Sequence, residues 1–186
     1  MTQDPSVFDP EGRAVPYIDE GHGDGPSLVL VSDRGLDGDV LGSIAHILVG
    51  EGFRVLRVGS GRAHATPDEQ AADAVAVIEH TGVGAAWIGG HAGGGTLARL
   101  VASRHGSLGL LLLGVAEGDA PLPPAIPVLV VQGADDDTMP PERGERLRAA
   151  APERVSVVSI GGAGRLFPVT HPVDTAFAIE DYLAWD

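Results

Sequence analysis

Three turns carry the side chains that could take part in catalysis, and the first of them lacks a reactive group. Residues 90–94, with the sequence Gly-His-Ala-Gly-Gly, lie between an apolar run that ends at Ile88 and a helical pattern that begins at Leu97. A sharp turn from strand to helix exposes its central residue, and a serine in that place attacks carbonyl carbon atoms. The central residue here is Ala92, and a methyl group is not a nucleophile. The pattern predicts a strained residue at the apex of a nucleophile turn, but no nucleophile.

The other two turns carry charged groups of the kind that proton transfer uses. Three consecutive aspartates, residues 135–137, follow the apolar run 127–133. Further along the chain, the glycine-rich segment 161–164 leads into Arg165. A carboxylate accepts or orients protons, whereas a guanidinium stays protonated at any usable pH and accepts none.

Together these turns resemble the catalytic loops of the α/β-hydrolase superfamily, and the resemblance extends over nearly the whole chain. In that family the first turn reads Gly-His-Ser-x-Gly-Gly, the acid-bearing loop reads Gly-x-x-Asp-x-x-x-Pro, and a later loop presents a histidine. The resemblance places the catalytic acid at Asp136, and it places Ala92 and Arg165 where the family has serine and histidine. His91 matches the family residue that precedes the nucleophile, and His171 matches a structural residue that opens the last helix. Neither histidine therefore matches the triad base.

The loop that would stabilise a tetrahedral intermediate is altered as well. Relatives usually have His-Gly after the strand that ends near Val31, whereas this chain has Ser32-Asp33-Arg34-Gly35. A carboxylate there opposes a developing oxyanion, which backbone N–H groups would otherwise stabilise. In a serine protease, loss of the serine or histidine alone lowers kcat by a factor on the order of 10⁶. The resemblance therefore implies that ordinary serine-hydrolase turnover is absent.

In an active relative, a histidine at the position of Arg165 contacts the catalytic carboxylate. The resemblance implies that the Arg165 guanidinium is close enough to pair with Asp136. We therefore predict a salt bridge between Arg165 and Asp136 that turns a catalytic dyad into a structural contact. The alternative is that Arg165 is solvated at the tip of its loop.

Two interpretations of function follow, and the sequence favours the first. In the first, the chain is a catalytically degenerate α/β-hydrolase-like protein that serves as a binding or scaffolding module, or as a structural subunit of a larger assembly. In the second, it is an active hydrolase or lyase that acts on a small ester-like substrate without a covalent intermediate and uses Asp136, His91 or His171 as its acid or base. A small-molecule ligand or a protein partner is expected at the vestigial pocket, and the oligomeric state stays open. The candidate pocket residues are Ser32, Asp33, Arg34, His91, Gly93, Asp136 and Arg165.

Composition restricts the partners and the compartment. The 186 residues include 26 acidic residues, 12 arginines and no lysine, which gives a net charge of −14. Neither nucleic acid nor an anionic membrane is an expected partner, because both require a basic surface. The first ten residues contain no apolar stretch of a signal peptide, and no apolar run is long enough to span a bilayer. We therefore expect a soluble, cytoplasmic protein.

No metal or cofactor is expected either. The chain has no cysteine, and the aspartates at 135–137 lack the histidine or EF-hand spacing of a metal site. Gly59-Ser60-Gly61 has His64 where a dinucleotide motif requires its third glycine, so we interpret it as a turn.

Alternating strand and helix patterns must position these turns. Strands are predicted over 14–19, 27–32, 53–58, 84–89, 108–114, 127–133 and 154–160, and helices over 40–50, 67–80, 94–105, 141–150 and 172–184. The alternation predicts an α/β fold with a doubly wound, mostly parallel sheet of the α/β-hydrolase type. Residues 115–126 are too few for a lid, so no cap domain is expected and the pocket is open. Residues 1–12 are expected to form a flexible arm, and residues 13–186 a single domain.

Local signals are clearest for the helix over 67–80. Thr66 is suited to the N-cap, Pro67 to the first helical position, and Glu69 to the third, where it completes a capping box. Gly82 is suited to the residue that ends the helix.

Overall fold

The structure, a computed structural model, describes residues 4–10, 12–22, 25–36, 40–61, 64–117 and 121–183. One eight-stranded sheet has the strand order β1-β2-β4-β3-β5-β6-β7-β8. The strands are β1 (Ser6–Phe8), β2 (Val15–Glu20), β3 (Ser27–Val31), β4 (Arg54–Val58), β5 (Trp87–His91), β6 (Gly109–Leu113), β7 (Val128–Gly133) and β8 (Val155–Ile160). The helices are α1 (Gly42–Gly50), α2 (Pro67–Thr81), α3 (Gly93–Arg104), α4 (Glu142–Ala150), α5 (Phe167–Thr170) and α6 (Pro172–Leu183).

The sheet has a parallel part and an antiparallel edge. β4, β3, β5, β6, β7 and β8 pair in parallel, whereas β1 pairs antiparallel with β2, and β2 antiparallel with β4. The strand order reverses at β3, which lies between β4 and β5. In sheets of this kind, ligands bind in the crevice that the reversal leaves beyond the carboxyl ends of the strands.

Apolar layers cover both faces of the sheet, as a central parallel strand requires. All five residues of β6 are buried. Leu110 and Leu112 belong to the cluster that includes α2 and α3 side chains, and Leu111 and Leu113 to the cluster that includes those of α1 and α6. In the described ranges, none of the helices is long and apolar enough to cross a membrane.

The predicted ends of α2 are confirmed. The Thr66 hydroxyl accepts a hydrogen bond from the Glu69 N–H at 3.3 Å, and the Glu69 carboxylate accepts one from the Thr66 N–H at 2.8 Å. The helix stops at Gly82, whose φ of 62° lies in the left-handed region that glycine adopts without strain.

The predicted α/β fold class, with its mostly parallel sheet, is confirmed. Between β6 and β7, the described residues 114–117 and 121–127 form neither helix nor strand. The short helix α5 was not predicted, because four residues that include a proline carry no helical periodicity.

The expected flexible arm over 1–12 needs correction at residues 6–8, because they form β1. This strand pairs with β2, and the Phe8 ring stacks on His80 with the ring centroids 4.1 Å apart. A three-residue strand is too short for an alternating pattern to reveal it. Residues 1–3 and 11 of the arm, and the predicted end of the last helix at 184, lie outside the described residues.

Candidate functional site

The sharp turn predicted at Ala92 is present between β5 and α3. β5 ends at His91 and α3 begins at Gly93, so Ala92 alone connects the strand to the helix. Its φ of 51° and ψ of −116° form a backbone conformation that residues with a Cβ atom rarely adopt. Apart from glycines, Ala125 is the only other residue of the described chain with a positive φ. The prediction of a strained residue at the apex of this turn is confirmed.

Two glycines allow the chain to turn this sharply. A Cβ atom on Gly90 would collide with the carbonyl group of Gly94, and one on Gly94 would collide with the carbonyl oxygen of Val31. These close approaches hold the start of α3 against β5 and the end of β3. Ala92 therefore lies at the crevice where the strand order reverses.

A cleft of 410 Å³ opens at Ala92. The loop after β3, the turn after β5 and the loop after β8 contribute its walls. The structure brings together these sequence-predicted pocket residues in its lining: Ser32, Asp33, Arg34, His91, Gly93 and Arg165. Asp136 is not among the lining residues.

Asp33 lies beside Gly93, the residue that follows the nucleophile position. Its Oδ2 atom lies so close to Gly93 that a Cβ atom on that residue would collide with it. Gly93 follows the position of the nucleophile, and in the α/β-hydrolase arrangement the N–H group of that residue stabilises the oxyanion. A carboxylate beside it repels developing negative charge.

Asp136 is buried in the loop after β7 and stabilises that loop. Only 3% of the residue is exposed. Its Oδ1 atom accepts hydrogen bonds from the N–H groups of Thr138 at 2.9 Å and Met139 at 2.8 Å. The Oδ2 atom is buried without a hydrogen-bond partner in the described chain. Asp136, assigned from the sequence as a pocket residue, is therefore buried and does not line the cleft.

The predicted salt bridge between Arg165 and Asp136 is wrong. The two loops are adjacent, because the Asp135 N–H donates to the Ala163 carbonyl at 2.9 Å. The Arg165 side chain, however, is exposed and makes no ion pair with any described residue. Asp136 is held inward by the N–H groups of its own loop, while Arg165 extends from the glycine-rich turn toward solvent. Solvation at a loop tip, the alternative considered above, describes Arg165 correctly.

His91 is instead the side chain that contacts the Arg165 backbone, a contact that the sequence did not predict. Its Nε2 atom lies 2.9 Å from the Arg165 carbonyl oxygen. A carbonyl only accepts hydrogen bonds, so Nε2 carries the proton and Nδ1 carries the lone pair of the neutral ring. The ring also packs edge-on against Phe167, with the ring centroids 6.0 Å apart.

The environment of His91 favours its neutral form. Burial is the main cause that lowers the pKa of the imidazole, and the Arg165 guanidinium lowers it further. The hydrogen bond to the Arg165 carbonyl and the carboxylates of Asp136 and Asp33 act in the opposite direction without reversing the shift. His91 therefore lines the cleft as an uncharged ring near neutral pH.

His171, the other histidine considered as an acid or base, does not line the cleft. It lies between α5 and α6, where its Nδ1 atom is 2.8 Å from the Thr170 hydroxyl. Within the described ranges, no group of three or more His, Asp or Glu side chains is arranged to hold a metal ion.

Comparisons with known proteins agree with this architecture at the level of the fold. No protein-family model and no curated protein matches the sequence. Among solved structures, a thermophilic esterase from Thermogutta terrifontis has a TM-score of 0.78 at 19% identity, with 98% of each chain covered. A serine hydrolase without a lid from Xanthomonas campestris has a TM-score of 0.76 at 16% identity, covering 98% of this chain and 97% of its own.

A third solved structure belongs to a different hydrolase class. An epoxide hydrolase of the α/β-hydrolase superfamily, from metagenomes of hot environments, has a TM-score of 0.79 at 17% identity, covering 98% of this chain and 99% of its own. Esterases and epoxide hydrolases thus share this architecture. The likenesses, the reversal of strand order at β3 and the turn at Ala92 together show that this chain has the α/β-hydrolase fold.

Proposed function

We propose that this protein is a catalytically degenerate α/β-hydrolase-fold protein that works as a binding module without acyl-enzyme chemistry. The observation that carries the proposal is the turn between β5 and α3, where the methyl group of Ala92 takes the place of a nucleophile. At the place of the triad base, Arg165 is exposed and makes no ion pair with Asp136. Neither side chain attacks a carbonyl group or accepts a proton.

Without these two groups, too little rate enhancement remains for ordinary ester turnover. Removing the serine or histidine of a serine protease costs a factor on the order of 10⁶ in kcat. The oxyanion hole and substrate binding retain only about 10³–10⁴ over the reaction in water. Here the Asp33 carboxylate adjoins Gly93 and weakens even that contribution. The cleft is better suited to holding a ligand than to transforming one.

The size and openness of the cleft fit a binding role. Its volume of 410 Å³ falls in the range of about 300–1,000 Å³ that small-molecule sites occupy. Asp33, Arg34 and Leu166 in its lining are exposed, so the cleft is open to solvent. A small organic molecule fills such a cleft, and a side chain of a protein partner reaches it by the same route.

His91 supports a second candidate function, hydrolysis of a small ester-like substrate without a covalent intermediate. The ring lines the cleft beside Ala92, and its hydrogen bond to Arg165 leaves Nδ1 unprotonated. Its lowered pKa keeps the ring neutral near pH 7. A neutral imidazole in this state is a general base that activates a water molecule.

An ester-hydrolysis assay separates the two functions. Release of p-nitrophenol from p-nitrophenyl acetate and butyrate is measured for the wild-type protein and for His91→Gln, over a series of protein concentrations. A binding module gives background rates in both proteins. A hydrolase that uses His91 gives many turnovers per protein molecule, and His91→Gln abolishes them.

His46→Gln is the matched control, because His46 is exposed on α1 and does not line the cleft. It removes one imidazole without touching the candidate site. Turnover that the wild-type protein and His46→Gln share, and that His91→Gln lacks, would overturn the binding-module proposal and establish the second function.

A further inference from the structure

Two arginines that form no ion pair with any described residue line the cleft. Arg34 follows β3 and Arg165 follows β8, so separate loops bring these two arginine residues to one cleft. Both residues are exposed, and neither side chain forms a hydrogen bond or ion pair with a described residue. Elsewhere in the described part of this acidic chain, seven arginines form ion pairs with Asp or Glu: Arg13, Arg54, Arg57, Arg104, Arg143, Arg148 and Arg154. Among the described residues, no acidic side chain thus pairs with either cleft arginine.

The charge of the described lining is positive although the chain as a whole is strongly acidic. Arg34 and Arg165 contribute two positive charges, and Asp33 contributes one negative charge. His91 is neutral near pH 7 because burial lowers its pKa. The described lining thus has one net positive charge, which matches a ligand with a single negative charge.

Apolar side chains lie beside these charges. Val31, Val40 and Leu166 line the same cleft, and half of Leu166 is exposed. A fully hydrated inorganic anion gains nothing from such surfaces, whereas an organic anion buries its hydrocarbon part against them. The site therefore combines a place for an anionic group with a place for an apolar body.

We propose that the cleft binds a small organic monocarboxylate, whose carboxylate lies between Arg34 and Arg165 and whose hydrocarbon part packs on Val40 and Leu166. The inference rests on the proposed function only in treating this cleft as a ligand site. Arginine suits the role because its planar guanidinium matches a carboxylate in two parallel hydrogen bonds.

Calorimetric titration with three probes tests the proposal at low ionic strength and neutral pH. Butyrate carries the carboxylate and an apolar body, butyramide has nearly the same shape without the charge, and inorganic phosphate has the charge without the apolar body. We expect butyrate to bind, butyramide to show no heat of binding, and phosphate to bind more weakly than butyrate. Added salt weakens the binding of butyrate because it screens the exposed charges.

Variants locate the binding site. Arg34→Gln and Arg165→Gln should each weaken butyrate binding by about tenfold, since each removes a charge-assisted hydrogen bond. Asp33→Asn should strengthen it, because the substitution removes the negative charge from the lining. Arg146→Gln is the matched control: Arg146 is exposed on α4 and does not line the cleft, and the net charge changes by the same amount. Thermal melting verifies that all four variants fold.

Several outcomes would overturn the proposal. Butyrate and butyramide could bind with equal affinity, or phosphate could bind as tightly as butyrate. Arg146→Gln could also weaken butyrate binding as much as the two cleft substitutions do. Ester turnover in the preceding assay would overturn the binding-module function and leave the carboxylate site standing. A protein silent on esters that binds no butyrate would overturn the carboxylate site alone.

Discussion

The Nε2 atom of His91 donates a hydrogen bond to the carbonyl oxygen of Arg165 across 2.9 Å, between residues that are 74 positions apart in the chain. This bond joins the turn at Ala92 to the loop after β8. His91, which precedes the nucleophile position, thus contacts the loop after β8. In an active relative, that loop carries the triad histidine. The bond uses the Arg165 backbone, and the Arg165 residue itself is exposed at the cleft. Two positions of a catalytic arrangement are joined here by a structural contact.

We expect His91 to make the folded protein less stable in mild acid. Burial lowers its pKa, so the folded protein binds a proton there less readily than the unfolded chain. Above the unfolded pKa of about 6.5 the ring is neutral in both states and adds no pH dependence. Below it the unfolded chain takes up the proton first, and the free energy of unfolding falls until the folded pKa is passed. The slope from one such group is at most about 1.4 kcal/mol per pH unit.

Urea denaturation between about pH 5 and pH 8 checks this expectation. His91→Gln should show a flatter decline than the wild-type protein below about pH 6.5. His46→Gln removes an exposed imidazole and controls for the substitution itself. Parallel curves for the wild-type protein and His91→Gln would contradict the prediction.

Ala92→Gly should stabilise the protein. The backbone at Ala92 has a positive φ, and such strain costs about 1–3 kcal/mol for a residue with a Cβ atom. Glycine relieves it but adds about 0.4–1 kcal/mol of conformational freedom to the unfolded chain. We expect a net gain of about 1 kcal/mol in the free energy of unfolding. Ala72→Gly, at an exposed position inside α2, should have the opposite sign, with a loss of about 0.5–1 kcal/mol. Losses of similar size at both positions would contradict strain at Ala92.

Asp136 should matter for stability more than its exposed neighbour does. Asp136→Ala leaves the N–H groups of Thr138 and Met139 without their acceptor, and we expect a loss of about 2 kcal/mol. Asp136→Asn retains one acceptor oxygen and should lose less. Asp137→Ala, at an exposed residue that contacts only the Thr138 hydroxyl, should stay within about 0.5 kcal/mol of the wild-type protein. Equal losses in Asp136→Ala and Asp137→Ala, measured by urea denaturation, would refute the role of the Asp136 carboxylate.

Features fixed by neighbouring residues were predictable from the sequence, and features fixed by distant ones were not. Thr66 and Gly82 mark the ends of α2 because capping depends on side chains and φ angles within a few residues. The strain at Ala92 follows from Gly90 and Gly94 in the same way.

The errors concern the relative placement of loops. Asp136 and Arg165 lie in the expected loops. The orientation of each residue, however, depends on hydrogen bonds to backbone N–H and carbonyl groups, and these groups are positioned only when the loops pack. The contact between His91 and the Arg165 carbonyl could not be read from residue types, because every residue has a carbonyl group. β1 and α5 depend on packing against the rest of the fold, since neither is long enough to show a periodic pattern.

Restoring the nucleophile alone should not create an esterase. Ala92→Ser supplies an attacking oxygen, but Arg165 is protonated at any usable pH and cannot take its proton. Arg165→His supplies an imidazole in the loop adjacent to Asp136, whose Oδ2 atom has no hydrogen-bond partner in the described chain. We expect background hydrolysis of p-nitrophenyl acetate from each single variant, and a weak burst from the double variant Ala92→Ser with Arg165→His.

Asp33 should limit even that burst, because its carboxylate adjoins Gly93 where an oxyanion would develop. Adding Asp33→Asn to the double variant should therefore raise the burst rate, by about tenfold for every ~1.4 kcal/mol of oxyanion stabilisation that the carboxylate removes. Asp137→Asn added in its place is the matched control, since it removes the same charge from an exposed residue outside the cleft. Activity of Ala92→Ser alone would show that another group, with His91 the nearest imidazole, serves as base. Equal rates with Asp33→Asn and Asp137→Asn would show that Asp33 does not affect the oxyanion.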